Sequence, residues 1–254
     1  MQQNKPVCLI TGASSGIGKE LAYLEAKNSI VILVARRVEK LQAIYQAILA
    51  KDQEAYVIQA DVSKKEACHQ MIEQTMKKFG RIDRVIANAG MANAVFARSF
   101  NSDAFEQVMK TNFMSLVYTI EAVMPCFLKQ NSGHIVAISS MAAFVSVSGS
   151  SAYHCSKASM AGLMDSIRRE FQEKNIKTTL VHPGFIKSDM TDQNDFFMPL
   201  LMPLKPAVKK IHQAIIKNKR RIIFPKIMYM LIVFIKCLPL WLQDKCFSQR
   251  YTKK

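Results

Sequence analysis

The chain predicts an α/β fold, a doubly wound parallel sheet with helices on both faces, in one catalytic domain. Three observations point there. Short apolar runs alternate with amphipathic segments of helical length. The first run leads directly into a glycine-rich turn. Finally, the chain has 254 residues, half of them apolar, and open α/β folds reach ~250 residues as one unit. With 21% of its residues charged, the composition argues against disorder.

The expected strands are residues 7–11, 30–35, 54–59, 84–88, 134–139 and 178–182, each short and mostly apolar in its middle. Continuous apolar runs of that length suit strands buried on both faces. Stretches such as 38–51 and 64–79 carry helical periodicity between them, which gives βαβ units and a parallel sheet. Around Gly184 the rhythm breaks into a loop at about 185–203, followed by a helix over 206–218 and a basic, apolar tail over 225–254. The expected domain covers residues 1–224.

Only Lys5 precedes the four apolar residues 7–10, whereas a secretory segment needs ~7–15. Six cysteines are scattered at 8, 68, 126, 155, 237 and 246 without a CxxC pair. That spacing excludes a zinc ribbon and argues against a disulfide scaffold. A cytoplasmic chain with reduced thiols and no metal is the expectation.

The turn Thr11-Gly12-Ala13-Ser14-Ser15-Gly16-Ile17-Gly18 falls where the first strand ends and the first helix begins. Its glycines allow a tight turn and close backbone approach, and the helix N-terminus offers free N–H groups to a pyrophosphate. A purely structural strand-to-helix turn uses the same residues. The second strand ends in Arg36-Arg37 with no acid at the turn. An acidic residue there would bind a ribose 2′-hydroxyl, whereas arginine favours a 2′-phosphate. NADP(H) is therefore expected over NAD.

Tyr153 and Lys157 stand four residues apart at the start of a helical segment, on one face. A phenol titrates near ~10, and a nearby ammonium lowers that value toward a usable acid or base. Ser140 lies thirteen residues before Tyr153, at the C-terminal end of a strand, the edge where ligands sit in open α/β sheets.

With Asp61-Val62, Asn88-Ala89-Gly90, Asn112 and Pro183-Gly184 added in order, the chain resembles the short-chain dehydrogenase/reductase family over about residues 6–190. The resemblance implies a Rossmann fold and a single-domain, NADP-preferring enzyme. Tyr153 would be the general acid/base, and Lys157 would lower its pKa and bind the nicotinamide ribose. Ser140 would hold the substrate oxygen alongside Tyr153. Asn112 would kink its helix and hold a water leading to Lys157. Around the cofactor would stand Gly12, Ser14, Ser15, Gly16, Ile17, Gly18, Arg36, Arg37, Asp61, Val62, Asn88, Ala89 and Gly90. Pro183, Gly184, Ile186 and Ser188 would position its nicotinamide, Ser188 replacing a common Thr. Asn28-Ser29, Ala87 and Ala137 also depart from the family pattern without removing a catalytic group. A homodimer or homotetramer is implied as well.

The loop carries Phe185, Phe196, Phe197, Met198, Leu200, Leu201 and Met202, which fits a hydrophobic substrate such as a steroid, retinoid, lipid or long-chain aldehyde. The same residues would equally pack on the core or a neighbouring subunit. An NADP(H) sensor or scaffold is the rival to an enzyme. The net charge is +16, and residues 191–254 contribute +10 of it beside apolar side chains. Nucleic acid is not the expected partner, because base-stacking aromatics are not interleaved with the charge. Peripheral contact with a membrane surface and packing on a subunit both remain open.

Overall fold

The computed structural model describes residues 5–171, 175–194 and 196–247. Residue 195 of the predicted loop and residues 248–254 of the predicted tail lie outside them. Seven strands form one sheet: β1 (Val7–Thr11), β2 (Ile30–Ala35), β3 (Ala55–Gln59), β4 (Arg84–Ala87), β5 (Gly133–Ile138), β6 (Ile176–Pro183) and β7 (Arg221–Phe224). Their order is β3-β2-β1-β4-β5-β6-β7, and every neighbouring pair is parallel. The helices are α1 (Gly16–Glu25), α2 (Val38–Leu49), α3 (Lys65–Phe79), α4 (Ser102–Met109), α5 (Ser115–Gln130), α6 (Ser151–Glu170), α7 (Leu204–Ile216), α8 (Lys226–Lys236) and α9 (Leu240–Phe247).

The period of two along β1 explains the layering. Val7 and Leu9 join a core with Met71 of α3, Leu116 and Val123 of α5, and Met160 and Met164 of α6. Cys8 and Ile10 point the other way, onto Leu21 of α1, Leu41 and Ile44 of α2, and Val208 and Ile211 of α7. Both faces are thus covered, and all five residues of β1 are buried. Burying one such Leu or Ile side chain stabilises the fold by ~1.5–3 kcal/mol.

Chain direction across the sheet reverses at β1 and β4. A crevice opens beyond the carboxyl ends of these strands, at the switch point where open α/β sheets bind ligands. Between α4 and α5 the backbone widens into a π turn over Lys110–Met114, so the two helices run on as one stretch with a local bulge. Among the described residues that stretch, Ser102–Gln130, is the one helix long and apolar enough to cross a membrane. Its Leu116, Val123 and Phe127 are buried in the core beside the sheet. Helix α7 begins at Leu204 rather than at the expected 206, with Pro203 as its N-cap. Pro206 then sits in the first turn, where a missing N–H costs little.

At the opposite edge of the sheet lies a buried polar chain. The Arg84 Nη1 is 2.6 Å from Glu25 Oε2, and its Nε donates to His134 Nδ1 at 3.3 Å. Because arginine only donates, His134 carries its proton on Nε2, which donates to Thr179 Oγ1 at 2.8 Å. Burial pushes His134 down to about 3, with Arg84 adding to the effect.

Candidate active site

Glycine at two positions is dictated by space. A side chain at Gly18 would start 2.4 Å from the Gly12 carbonyl oxygen. Gly12 itself has φ +65° and would meet Ala89 Cα at 2.8 Å. This closeness lets β1 and β4 be stitched together. Thr11 Oγ1 accepts from the backbone N–H groups of Asn88 (3.1 Å) and Ala89 (3.2 Å). In return, Asn88 Nδ2 donates to the carbonyls of Thr11 and Gly12. Strand β4 stops at Ala87, one residue earlier than expected, because Asn88 spends its groups on this turn.

Helix α1 starts at Gly16 with Ser15 as N-cap, and no side chain caps it. Its first N–H groups and positive dipole end are therefore available to an anion. Ser15 is engaged elsewhere: Arg37 Nη2 donates to Ser14 Oγ at 2.9 Å and to Ser15 Oγ at 3.0 Å. A guanidinium is thereby held beside the glycine turn.

The crevice is a cavity of about 260 Å³. Gly12, Ser14, Ser15, Gly16, Ile17, Arg36, Arg37, Asp61, Val62, Asn88, Ala89 and Gly90 all line it, as do Ser140, Tyr153, Lys157, Pro183, Gly184, Ile186 and Ser188. Gly18 and Asn112 do not. Gly18 packs behind the turn, and Asn112 stands one layer back. Ala35, Ala60, Thr111, Ile138, Ser139, Asp189, Met190 and Thr191 also line the cavity, and sequence reasoning missed them. Ala35, Ala60, Thr111, Ser139 and Asp189 adjoin a singled-out residue, so their signal was proximity. Thr191 had none: its Oγ1 accepts from Ser188 N–H and donates to the Ile186 carbonyl, both at 2.8 Å, closing the loop behind Pro183-Gly184.

On α6, Tyr153 and Lys157 share a face, with Lys157 Nζ 5.6 Å from the phenol ring centre. The Lys157 ammonium donates to the Ile138 carbonyl at 2.8 Å, and burial lowers its pKa to about 8. Burial raises the Tyr153 pKa above its usual value, and only a hydrogen bond with the Ser140 side chain opposes the rise. The Lys157 ammonium, hydrogen-bonded to the Ile138 carbonyl, remains close enough to the phenol ring to act on a phenolate's charge. Ser140 Oγ accepts from Ala142 N–H at 3.1 Å. Its carbonyl lies 3.1 Å from His182 Nδ1. That carbonyl can only accept, so His182 carries its proton on Nδ1, and the buried Nε2 has no hydrogen-bond partner.

Asn112 falls within the π turn. It clamps Met91, whose N–H donates to Asn112 Oδ1 at 2.8 Å and whose carbonyl accepts from Nδ2 at 2.9 Å. Nδ2 also donates to Ser156 Oγ. A Cβ at Gly90 would lie 3.3 Å from Asn112 Oδ1 and 3.6 Å from Lys157 Nζ, so the three stand together. Among the described residues, no group of three or more His, Cys, Asp or Glu could hold a metal.

Next to Ser140 in the chain, and outside the residues that line the cavity, lies an apolar cluster. Met141, Phe144, Val145 and Phe185 pack with Met228 and Ile232 of α8. A Cβ at Gly184 would approach Met228 Sδ to 3.2 Å, so α8 lies directly against the loop that follows β6.

A glycine-turn crevice in a doubly wound sheet, with a tyrosine and a lysine on one helix face at its end, defines a class: oxidoreductases that use NAD(P)(H). Residues 6–196 match the family model described as short chain dehydrogenase, and the chain belongs to that family. An uncharacterized oxidoreductase of Myxococcus xanthus (strain DK1622) is 33% identical over 218 residues, which is 85% of this chain and 86% of that one. The 11-beta-hydroxysteroid dehydrogenase A of Sesamum indicum is 38% identical over 75% of this chain and 55% of its own. The fold matches a short chain dehydrogenase/reductase from Burkholderia phymatum in complex with NAD, with a TM-score of 0.84 at 17% identity. That match covers 100% of this chain and 99% of the other.

Proposed function

We propose that the chain is an NADP(H)-dependent oxidoreductase that interconverts a hydrophobic ketone or aldehyde with its alcohol. The observation that carries the coenzyme preference is Arg37, fastened to Ser14 and Ser15 at the edge of the cavity. With Arg36 beside it and no acid at the end of β2, the site favours a 2′-phosphate over a free 2′-hydroxyl. The Burkholderia phymatum structure, with its bound NAD, shares only the fold at 17% identity.

The apolar cluster of Phe144, Val145, Phe185, Met228 and Ile232, which adjoins the cavity residues Ser140 and Gly184 in the chain, supports a hydrophobic substrate. So does the steroid named for the Sesamum indicum relative. Bound in the cavity, NADPH would supply the hydride that the carbonyl carbon takes up. Tyr153 gives its phenolic proton to the carbonyl oxygen, leaving an alcohol, NADP⁺ and a phenolate that is reprotonated from solvent. Ser140 donates to that oxygen and orients it, and the Lys157 ammonium steadies the negative charge left on Tyr153.

Arg37→Ala is expected to weaken NADPH binding by roughly 10–150-fold, the loss of one charge-assisted hydrogen-bond group at ~1.5–3 kcal/mol. NADH affinity should barely move. Fluorescence titration of both coenzymes checks this, and an unchanged NADPH/NADH ratio would overturn the coenzyme assignment. Turnover of NADPH with ketosteroids or long-chain aldehydes tests the reaction. Tight NADPH binding with no Tyr153-dependent turnover would instead identify a nucleotide sensor.

A further inference from the structure

Helix α8 is apolar on both faces. Met228 and Ile232 are buried against Phe144 and Phe185. Ile227, Met230, Leu231 and Phe234 point outward and are 66%, 67%, 56% and 63% exposed. Their spacing of i, i+3, i+4 and i+7 makes one continuous stripe. A helix apolar all round is ordinarily buried all round, and this one is covered on one side only.

The stripe does not stand alone. Leu240 and Trp241 of α9 are exposed at 75% and 60%, and Phe197 in the loop after β6 at 86%. Phe196 contacts Phe185 with ring centres 6.0 Å apart, and Phe185 packs in the cluster that holds α8. The loop and α8 therefore occupy the same end of the molecule. An exposed apolar region of this kind on a folded protein marks an interaction site.

Its rim identifies the partner. Lys226 and Lys236 stand at the two ends of α8, and the Lys245 ammonium lies 5.2 Å from the Trp241 ring centre. Asp244 is the one acid in α8 and α9. A two-fold contact between copies would bring the same patch, with the same lysines, against itself, in a chain of net charge +16. An anionic lipid surface complements both features: the apolar stripe enters the acyl boundary while lysines reach the headgroups. The eleven residues of α8 span only ~16 Å at 1.5 Å per residue, about half a ~30 Å bilayer core, so the helix lies in the plane.

We propose that α8, α9 and the loop around Phe197 form a docking surface for an anionic membrane, separate from the coenzyme chemistry. Co-sedimentation of the full chain with phosphatidylserine-containing and phosphatidylcholine-only vesicles tests it. Binding is expected to the anionic vesicles, to weaken as salt rises, and to be retained by Tyr153→Phe. The double variant Leu231→Glu with Phe234→Glu should bind roughly tenfold or more weakly while keeping wild-type NADPH affinity, the check that it folds. Equal sedimentation of variant and wild type, or none with either vesicle, would overturn the proposal. A dimer in size-exclusion chromatography that the double variant dissociates, without vesicle binding, would assign the face to a second copy and equally overturn it.

Discussion

Tyr153→Phe should lower kcat by ~10²–10⁴-fold, the usual contribution of a positioned general acid, with NADPH affinity within about twofold of wild type. The substitution removes one oxygen and keeps the ring that lines the cavity. Burial raises the phenol above its ordinary pKa, so the proton is in place at neutral pH and carbonyl reduction starts from the correct form. Lys157, lowered to about 8 by burial, is an ammonium below that pH and loses its charge above it. Reduction in the wild type should therefore fall as pH rises through about 8, the value for Lys157. Stopped-flow single turnovers across pH separate this from product release. A variant that turns over at the wild-type rate would remove Tyr153 from the chemistry.

Acid should destabilise the fold well before its carboxylates titrate. Burial lowers His134 to about 3 and His182 to about 4, whereas an unfolded histidine titrates near ~6.5. Below ~6.5 the unfolded chain binds protons that the folded chain refuses, so stability is full above that pH and falls as pH drops toward the folded values. Each histidine costs up to ~1.4 kcal/mol per pH unit across that window. Between pH ~7.5 and ~5.5 the pair should remove on the order of 2–3 kcal/mol. The physical cause is local. Protonating His134 sets a new N–H against the Arg84 donor, and protonating His182 buries a cation whose Nε2 has no partner. Urea unfolding at pH 7.5 and 5.5 measures the slope, and His182→Asn should flatten it by about half. A stability curve flat over that range would mean the histidines are not buried neutral.

Much of this molecule was legible in its sequence, and the exceptions share a cause. The strand runs stood out because both sheet faces are covered, so each is continuously apolar, as β1 and β2 are. Tyr153, Lys157 and Ser140 were visible by spacing, since one helix turn and one strand end place them. What could not be read were contacts between distant segments. Nothing local tells that Arg37, rather than Arg36, reaches Ser14 and Ser15, or that the Lys157 ammonium is claimed by the Ile138 carbonyl. The π turn holding Asn112 leaves no periodic mark, because one widened turn barely shifts the apolar pattern. The packing of Met228 on Phe144 joins residues more than eighty positions apart, which no window of the sequence contains.

Three consecutive residues at the end of β5 divide the labour around Lys157. The Ile138 carbonyl takes its ammonium, Ser139 Oγ donates to its backbone carbonyl at 3.0 Å, and Ser140 faces the cavity. Helix α6 is thus bolted to the strand at the very residue that anchors the catalytic pair. The spacing between the Ser140 hydroxyl and the Tyr153 phenol is a dimension of the scaffold, set when β5 and α6 fold together. An arriving carbonyl meets a finished jig, with no catalytic group left to recruit.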